Sequence, residues 1–269
     1  MSKIYPKTLF IGQKIQYLPS CQSTNDEASA LIAQTDPAEG TLVYTADQTA
    51  GRGQRGNQWE SNSGENLTVS VILKPTFLSA TEQFWLNIAV SLGIYDLLQP
   101  LVGDSLRIKW PNDIYADDQK LGGILIENTL HGYGIAWSVV GIGLNINQTQ
   151  FHYPTATSLQ LQAPLPNAYD LTGLLNRLCE TLEQRYLQLR SGHRDSLKMG
   201  YLQMLYRYQE ENLFENEGRY FRGVIVGVDD TGRLAIAEGD QIRYFGFKEV
   251  SFVMSEPERR GGAKERMSD

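Results

Sequence analysis

The run Asp47-Gln48-Thr49-Ala50-Gly51-Arg52-Gly53-Gln54-Arg55-Gly56-Asn57-Gln58-Trp59 decides how this chain is to be read. Three glycines, two arginines and a closing tryptophan interrupt small polar residues. A glycine backbone reaches φ > 0 and brings its N–H close to a ligand with no Cβ in the way. Arginine presents a rigid fork of donors matched to carboxylate and phosphate oxygens. Such a loop is cationic, flexible and able to fold over an anion, with the Trp59 indole as a flat surface for a ring. Gly51-x-Gly53-x-x-Gly56 is also a literal dinucleotide fingerprint. That fingerprint has meaning only between a strand and a helix, with an acidic residue about 20 positions on. Thr41 to Thr45 reads as a strand, but residues 57–64 have no helical period and residues 73–76 hold no carboxylate. The doubly wound parallel fold is rejected.

Working outward, Ile15 to Leu18 reads as a short strand ending before Pro19. Ser23 with Asp26, or Thr24 with Glu27, then gives a helix-capping pattern ahead of Ala28, Leu31 and Ile32. Hydroxyls at such a helix start can point into a cleft. Residues 40–46 and 67–73 read as strands, and 81–98 as an amphipathic helix whose aromatics belong to the core. In Leu106-Arg107-Ile108-Lys109-Trp110-Pro111-Asn112-Asp113, alternation sets Arg107 and Lys109 on the face opposite Leu106 and Ile108. Pro111 ends that strand and leaves Lys109 at its end, with Asn112 and Asp113 as turn formers. Residues 117–120 read as a hairpin turn. The apolar runs Leu121–Glu127 and Trp137–Asn147 follow, with Gly122, Gly123, Gly141 and Gly143 inside them. Glycines within strands mark a bulge or a close approach of backbone or ligand. Residues 171–190 keep a helical period, a second helical segment spans 194–208 with a break near Gly200, and beyond Gly218 the period drops to two. The expectation is an α+β chain with a mixed, largely antiparallel sheet packed with helices over 1–212. A small β-module follows at 213–256, then a disordered tail at 257–269.

With 41% hydrophobic residues the chain can bury a proper core. A net charge of −7 argues against a nucleic-acid surface, which needs a basic face. The two cysteines, Cys21 and Cys179, have no metal-ligand spacing and fit a reducing cytoplasm. No signal peptide opens the chain, and no run of about 18 apolar residues suggests a membrane span. His131, His152 and His193 are scattered and carry no pattern.

Taken in order, Ser23-Thr24-Asn25, Gln48, Gly51-Arg52-Gly53-Gln54-Arg55-Gly56-x-x-Trp59, Lys109-Trp110-Pro111-Asn112-Asp113, Leu121-Gly122-Gly123-Ile124-Leu125 and Gly141-x-Gly143-x-Asn145 resemble the biotin protein ligases. Each motif alone is weak; the ordered set is specific. The resemblance implies a class II synthetase-like catalytic domain with a C-terminal SH3-like β-barrel. It implies attack of biotin's carboxylate on the α-phosphate of ATP to give biotinyl-5′-AMP. Biotin then passes to a lysine of a biotin carboxyl carrier protein of acetyl-CoA carboxylase.

By that resemblance Lys109 and Arg52 are the catalytic cations, with Lys109 bridging carboxylate and α-phosphate. Ser23, Thr24, Asn25, Gln48, Arg52, Gly53, Gln54, Lys109, Gly122, Gly123, Gly141 and Gly143 would hold biotin. Gly51, Arg52, Arg55, Trp59, Lys109, Asn112 and Asn145 would hold ATP. Mg²⁺ accompanies ATP with no ligands assigned. Gln54 departs from the resemblance, which carries a third arginine there, and one fewer cation is expected to weaken retention of the adenylate unless its amide substitutes. Only 22 residues precede Ser23, so no DNA-binding module and no nucleic-acid partner are expected. The expected setting is the cytoplasm, without membrane contact, and a homodimer is left open. The rival readings are a lipoate or octanoate ligase on a related scaffold, and a non-enzymatic biotin-binding protein.

Overall fold

The computed structural model describes residues 4–253, apart from the side chain of Arg55. The chain divides into two compact units: Met1–Tyr206 with Val228–Gly232, and Arg207–Gly227 with Arg233–Asp269. The segment 257–269, expected to be disordered, lies outside the described residues.

The first unit holds a seven-stranded sheet in the spatial order β1-β2-β3-β7-β6-β5-β4. The strands are β1 Ile15–Cys21, β2 Leu42–Gln48, β3 Leu67–Leu73, β4 Leu106–Lys109, β5 Asp113–Ala116, β6 Gln119–His131 and β7 Gly134–Leu144. β1 and β2 run parallel and the other pairs antiparallel, which is the expected mixed α+β sheet. Five helices accompany it: α1 Thr24–Gln34, α2 Gln83–Val102, α3 Leu159–Gln162, α4 Leu171–Arg190 and α5 Arg194–Gln203.

The period of two divides the apolar residues between two faces. Val43, Ile72 and Val139 pack with Ala28 of α1 on one side. Their chain neighbours Val71 and Val140, with Leu73, pack with Ala89 and Val90 of α2 and Leu182 and Tyr186 of α4 on the other. Each such side chain removed from water contributes about 1.5–3 kcal/mol. The α2–α4 face is fully roofed. The α1 face carries a single short helix, which leaves room over β3, β7 and β6 for the glycine-arginine loop.

Several elements differ from expectation for identifiable reasons. β1 continues through Pro19 because it is an edge strand, where a residue without an N–H breaks no ladder bond. α2 is buried around most of its circumference from Phe84 to Ile94, not along one stripe, because it lies under the sheet and against α4. It is long and apolar enough to cross a membrane by length and composition alone, yet 56% of that apolar window is buried in the protein. α5 runs through Gly200 and stops at Gln203. Asp113 opens strand β5 instead of closing a turn; a cis Trp110–Pro111 bond lies between β4 and β5.

The second unit is a five-stranded sheet in the order β11-β10-β9-β8-β12. Its strands are β8 Glu211–Asn216, β9 Arg219–Val228, β10 Leu234–Glu238, β11 Gln241–Phe245 and β12 Ser251–Phe252. Phe221 stacks on both Phe214 and Phe245 at its centre. β8 escapes a sequence reading because Glu-Asn-Leu-Phe-Glu-Asn offers little alternation beyond Phe214, which is fully buried.

One buried carboxylate fastens the start of the chain. Glu183 of α4, 5% exposed, accepts the backbone N–H groups of Leu9, Phe10 and Ile11 at 2.5, 2.8 and 2.9 Å. Glu183→Ala leaves those donors unsatisfied and is expected to cost about 2–4 kcal/mol. Urea unfolding checks this: an unshifted midpoint would show that the contact is dispensable.

Candidate active site

The ladder register carries one row straight across the sheet. Thr45, Thr68, Gly143, Gly123, Asp113 and Lys109 are successive partners from β2 to β4. Residues paired in this way share a face, and this is the face of α1. The centre of the row has no side chains, and the Trp59 indole lies there. A Cβ on Gly143 would run into the indole, and one on Gly123 would touch its Cζ3 atom at 3.4 Å. The paired glycines therefore leave a slot about one aromatic ring deep. The indole Nε1 is buried and has no partner, and an orphaned buried donor of that kind is costly unless something supplies an acceptor.

At the foot of α1, Ser23, Thr24 and Asn25 are all buried. Gln48, at the end of β2, caps the helix from outside: its Oε1 accepts the Thr24 N–H at 2.9 Å and the Thr24 hydroxyl at 3.3 Å. Ser23 occupies the N-cap position but makes no capping bond with its own hydroxyl. Its oxygen is thus spared for another partner, beside a helix N-terminus that favours acceptors and anions. Asn25 donates to Glu127 at 2.6 Å and accepts from Ser70 at 2.6 Å. A Cβ on Gly141 would strike the Asn25 amide.

The glycine-arginine loop extends the β1–β2 pairing through Thr49 N–H to Cys21 O and Ala50 N–H to Gln22 O. It closes as a small hairpin through Gly53 N–H to Asn57 O and Trp59 N–H to Gly51 O, with a 3₁₀ turn over Gln54–Gly56 at its tip. A cleft of about 720 Å³ lies under it, lined by Gln22, Asp26, Thr49 to Gly53, Gly56 to Trp59, Leu125 and Glu127. Arg52 stands at this cleft and donates to both Asp26 and Glu127. The side chain of Arg55 lies outside the described residues.

Two lysines share the face. The Lys109 ammonium donates to the Tyr115 hydroxyl at 3.0 Å and lies 4.3 Å from that ring's centroid and 5.8 Å from that of Tyr206. Burial pushes the Tyr115 phenol above its ordinary pKa, so it stays neutral and accepts that bond. Neither Lys109 nor Lys120 is among the residues lining the cleft, and the Lys109 backbone is roughly 14 Å, three strand spacings, from Gly143. Lys120 is nearer. The ladder slips between Ile114 and Tyr115, leaving Leu121 unpaired, and Tyr115 then faces Lys120. This bulge turns Lys120 toward Gly123, and bulges commonly re-aim a side chain beside a site. The Lys120 ammonium pairs with Asp113 at 2.7 Å and lies 5.8 Å from the Trp59 ring.

Residues 17–147 match the biotin/lipoate A/B protein ligase family. The chain is 31% identical over 251 residues to the bifunctional ligase/repressor BirA of Bacillus subtilis, covering 88% of this chain and 73% of that one. The chain belongs to the biotin protein ligase family. A biotin–[acetyl-CoA-carboxylase] ligase from Mycobacterium tuberculosis is 29% identical over 81% of this chain and 80% of its own length. The fold of the Aquifex aeolicus biotin protein ligase, solved in complex with biotin and ATP, superposes with a TM-score of 0.75 at 22% identity, over 90% of this chain and 100% of that one.

For a biotin protein ligase, the structure gathers most of the anticipated residues and sets others apart. Ser23, Thr24, Asn25, Gln48 and Gly141 meet at the foot of α1. Gly51, Arg52, Gly53 and Trp59 line the cleft. Gly122 points to the opposite face, where a Cβ would meet Leu144 at 2.6 Å, so it packs strand on core. Asn112 is buried with its amide committed to Ile124 O, which ties the β4–β5 turn to β6. Asn145 donates to Thr157 O at 2.9 Å, and its Oδ1 is buried without a partner. The position of Lys120 beside Gly123 and Trp59 is not legible in the sequence, where it reads as the last residue of a hairpin turn. The glycine pair after it was the available signal.

The slot makes a direct expectation. Gly143→Ala should evict Trp59, raising acrylamide quenching of tryptophan fluorescence relative to wild type, an increase that a Trp59→Phe background abolishes. Unchanged quenching would mean the indole does not occupy the slot in solution.

Proposed function

We propose that the chain activates biotin with ATP and hands it to a lysine on a carrier protein. The observation that carries this reading is a shared face: Lys120, Arg52, the Trp59 slot and the Ser23–Thr24–Gln48 cluster all lie on the α1 side of one sheet. Two anions must meet for the first step, and fixed cations aimed at the developing phosphate charge lower its barrier. A biotin carboxylate oxygen forms a bond to the α-phosphorus, the bond to the bridging oxygen breaks, and pyrophosphate leaves. In the second step the carrier's lysine amine attacks the acyl carbon of the mixed anhydride, and AMP departs.

The roles follow the geometry. Ser23, Thr24 and Gln48 offer hydroxyl and amide groups to the ureido ring. Lys120 sits where carboxylate and α-phosphate would converge, as a charged donor and not a nucleophile. Lys109, farther along the same face and held by Tyr115, takes a supporting electrostatic role. Trp59 and the unpartnered Asn145 Oδ1 suit a purine ring and its amino group. The hairpin loop over the cleft keeps water from an intermediate that hydrolyses. Magnesium is expected to come with the nucleotide. Among the described residues no group of three or more His, Cys, Asp or Glu is placed to hold a metal ion, and Asp113 is already paired with Lys120. Mg²⁺ in such sites is held largely by phosphate oxygens and water.

The carrier of acetyl-CoA carboxylase is the proposed partner, in a cytoplasmic setting. The charge of −7 speaks against DNA as a partner of these residues. Gln54 in the turn of the loop supplies no charge to retain the adenylate.

Purified protein with biotin and Mg-ATP should catalyse biotin-dependent pyrophosphate exchange and label a carrier domain; lipoate in place of biotin should not support exchange. Lys120→Ala should lower the exchange rate about 100-fold or more, and Lys109→Ala by less. Equal losses, or a larger loss at Lys109, would overturn the assignment. Gln54→Arg should slow escape of biotinyl-5′-AMP, measured by rapid filtration; unchanged escape would remove any role for that position.

A further inference from the structure

Arg52 is held by two carboxylates, neither of which the reaction above employs. Its guanidinium donates through both terminal nitrogens to Glu127, at 3.2 Å each, and through one of them to Asp26 at 2.5 Å. The two-toothed contact with Glu127 is the same one that arginine makes with a ligand carboxylate or phosphate. Glu127 therefore fills the fork that an incoming oxyanion would need. Its Oε2 also accepts from the Asn25 amide at 2.6 Å, which joins this stand-in to the buried polar cluster at the foot of α1. Asn25 in turn meets Ser70, and Ser70 meets Thr24. A line of side chains thus runs from the loop's cation to the residues proposed for the ureido end.

We propose that Glu127 and Asp26 are positioning residues for Arg52: they latch the loop over the cleft, and give up the guanidinium to a ligand oxyanion that then holds the loop in their place. This rests on the ligase reading of the same cleft. The strength of the latch suits the task. Arg52 and Asp26 are 42% and 54% exposed in their side chains, and Glu127 is 37% exposed. Pairs so open to water are weak. A desolvated pair would hold the arginine against any ligand; this one yields to a phosphate.

Hydrogen exchange of the loop peptide 49–60 in the ligand-free full chain reads the latch without any call on activity. Asp26→Asn and Glu127→Gln should each speed exchange about two- to fivefold, and the double variant further. Biotin with Mg-ATP should return all of them to the wild-type liganded rate. Asp26→Asn should also lower the KM for ATP, since a competitor for Arg52 is gone. Unchanged ligand-free exchange in both variants would overturn the latch. So would a raised KM for ATP with unchanged exchange, which would make Asp26 a group that serves the nucleotide. Absence of biotin-dependent pyrophosphate exchange in the wild type would instead sink the ligase reading, and leave the exchange result to stand by itself.

Discussion

The missing side chains at Gly123 and Gly143 are the constraint from which the rest of the site follows. The two residues pair across β6 and β7 in the middle of a seven-stranded sheet, and together they bare a strip of backbone. A flat group can lie on that strip, and the Trp59 indole does so. With a methyl group at Gly143 the indole would have to lift, while one at Gly123 would only come into contact with it. Close packing gives the site its depth, since interiors of this density do not absorb an added carbon without moving something.

Charge is then arranged around the strip. Lys120 stands with Asp113 beside the strip and Arg52 with Asp26 and Glu127 at the cleft, so both of these cations have a carboxylate for company. Paired charges cost less to hold close to an apolar slot than bare ones. The pairing also keeps the cations ordered and ready to transfer to an anion of better geometry. Lys109 stands farther along the same face, donating to the Tyr115 hydroxyl.

Much of the fold was legible because it rests on local patterns. Alternation announced β3 and β4, apolar runs with glycines announced β6 and β7, and a helical period announced α2 and α4. Where reading failed, a tertiary reason intervened. Pro19 passes within β1 because that strand has a free edge. The circumference of α2 is covered by partners that no window of its own sequence contains. β8 has a single strong apolar residue and takes its form from pairing with β9.

The amino-acid sequence by itself determined the class of fold, the family, and the residue types that meet at the site: hydroxyls at a helix start, glycines in strands, arginines in a loop. Those features depend on neighbours within a few positions, and propensity and periodicity report them. Which lysine lies beside the slot was decided only by tertiary structure. One unpaired residue in β6, Leu121, slips the register and turns Lys120 toward Gly123, while Lys109 finds Tyr115. The direction of a side chain across a sheet is set by pairing between distant strands, and a shift of one residue reverses it.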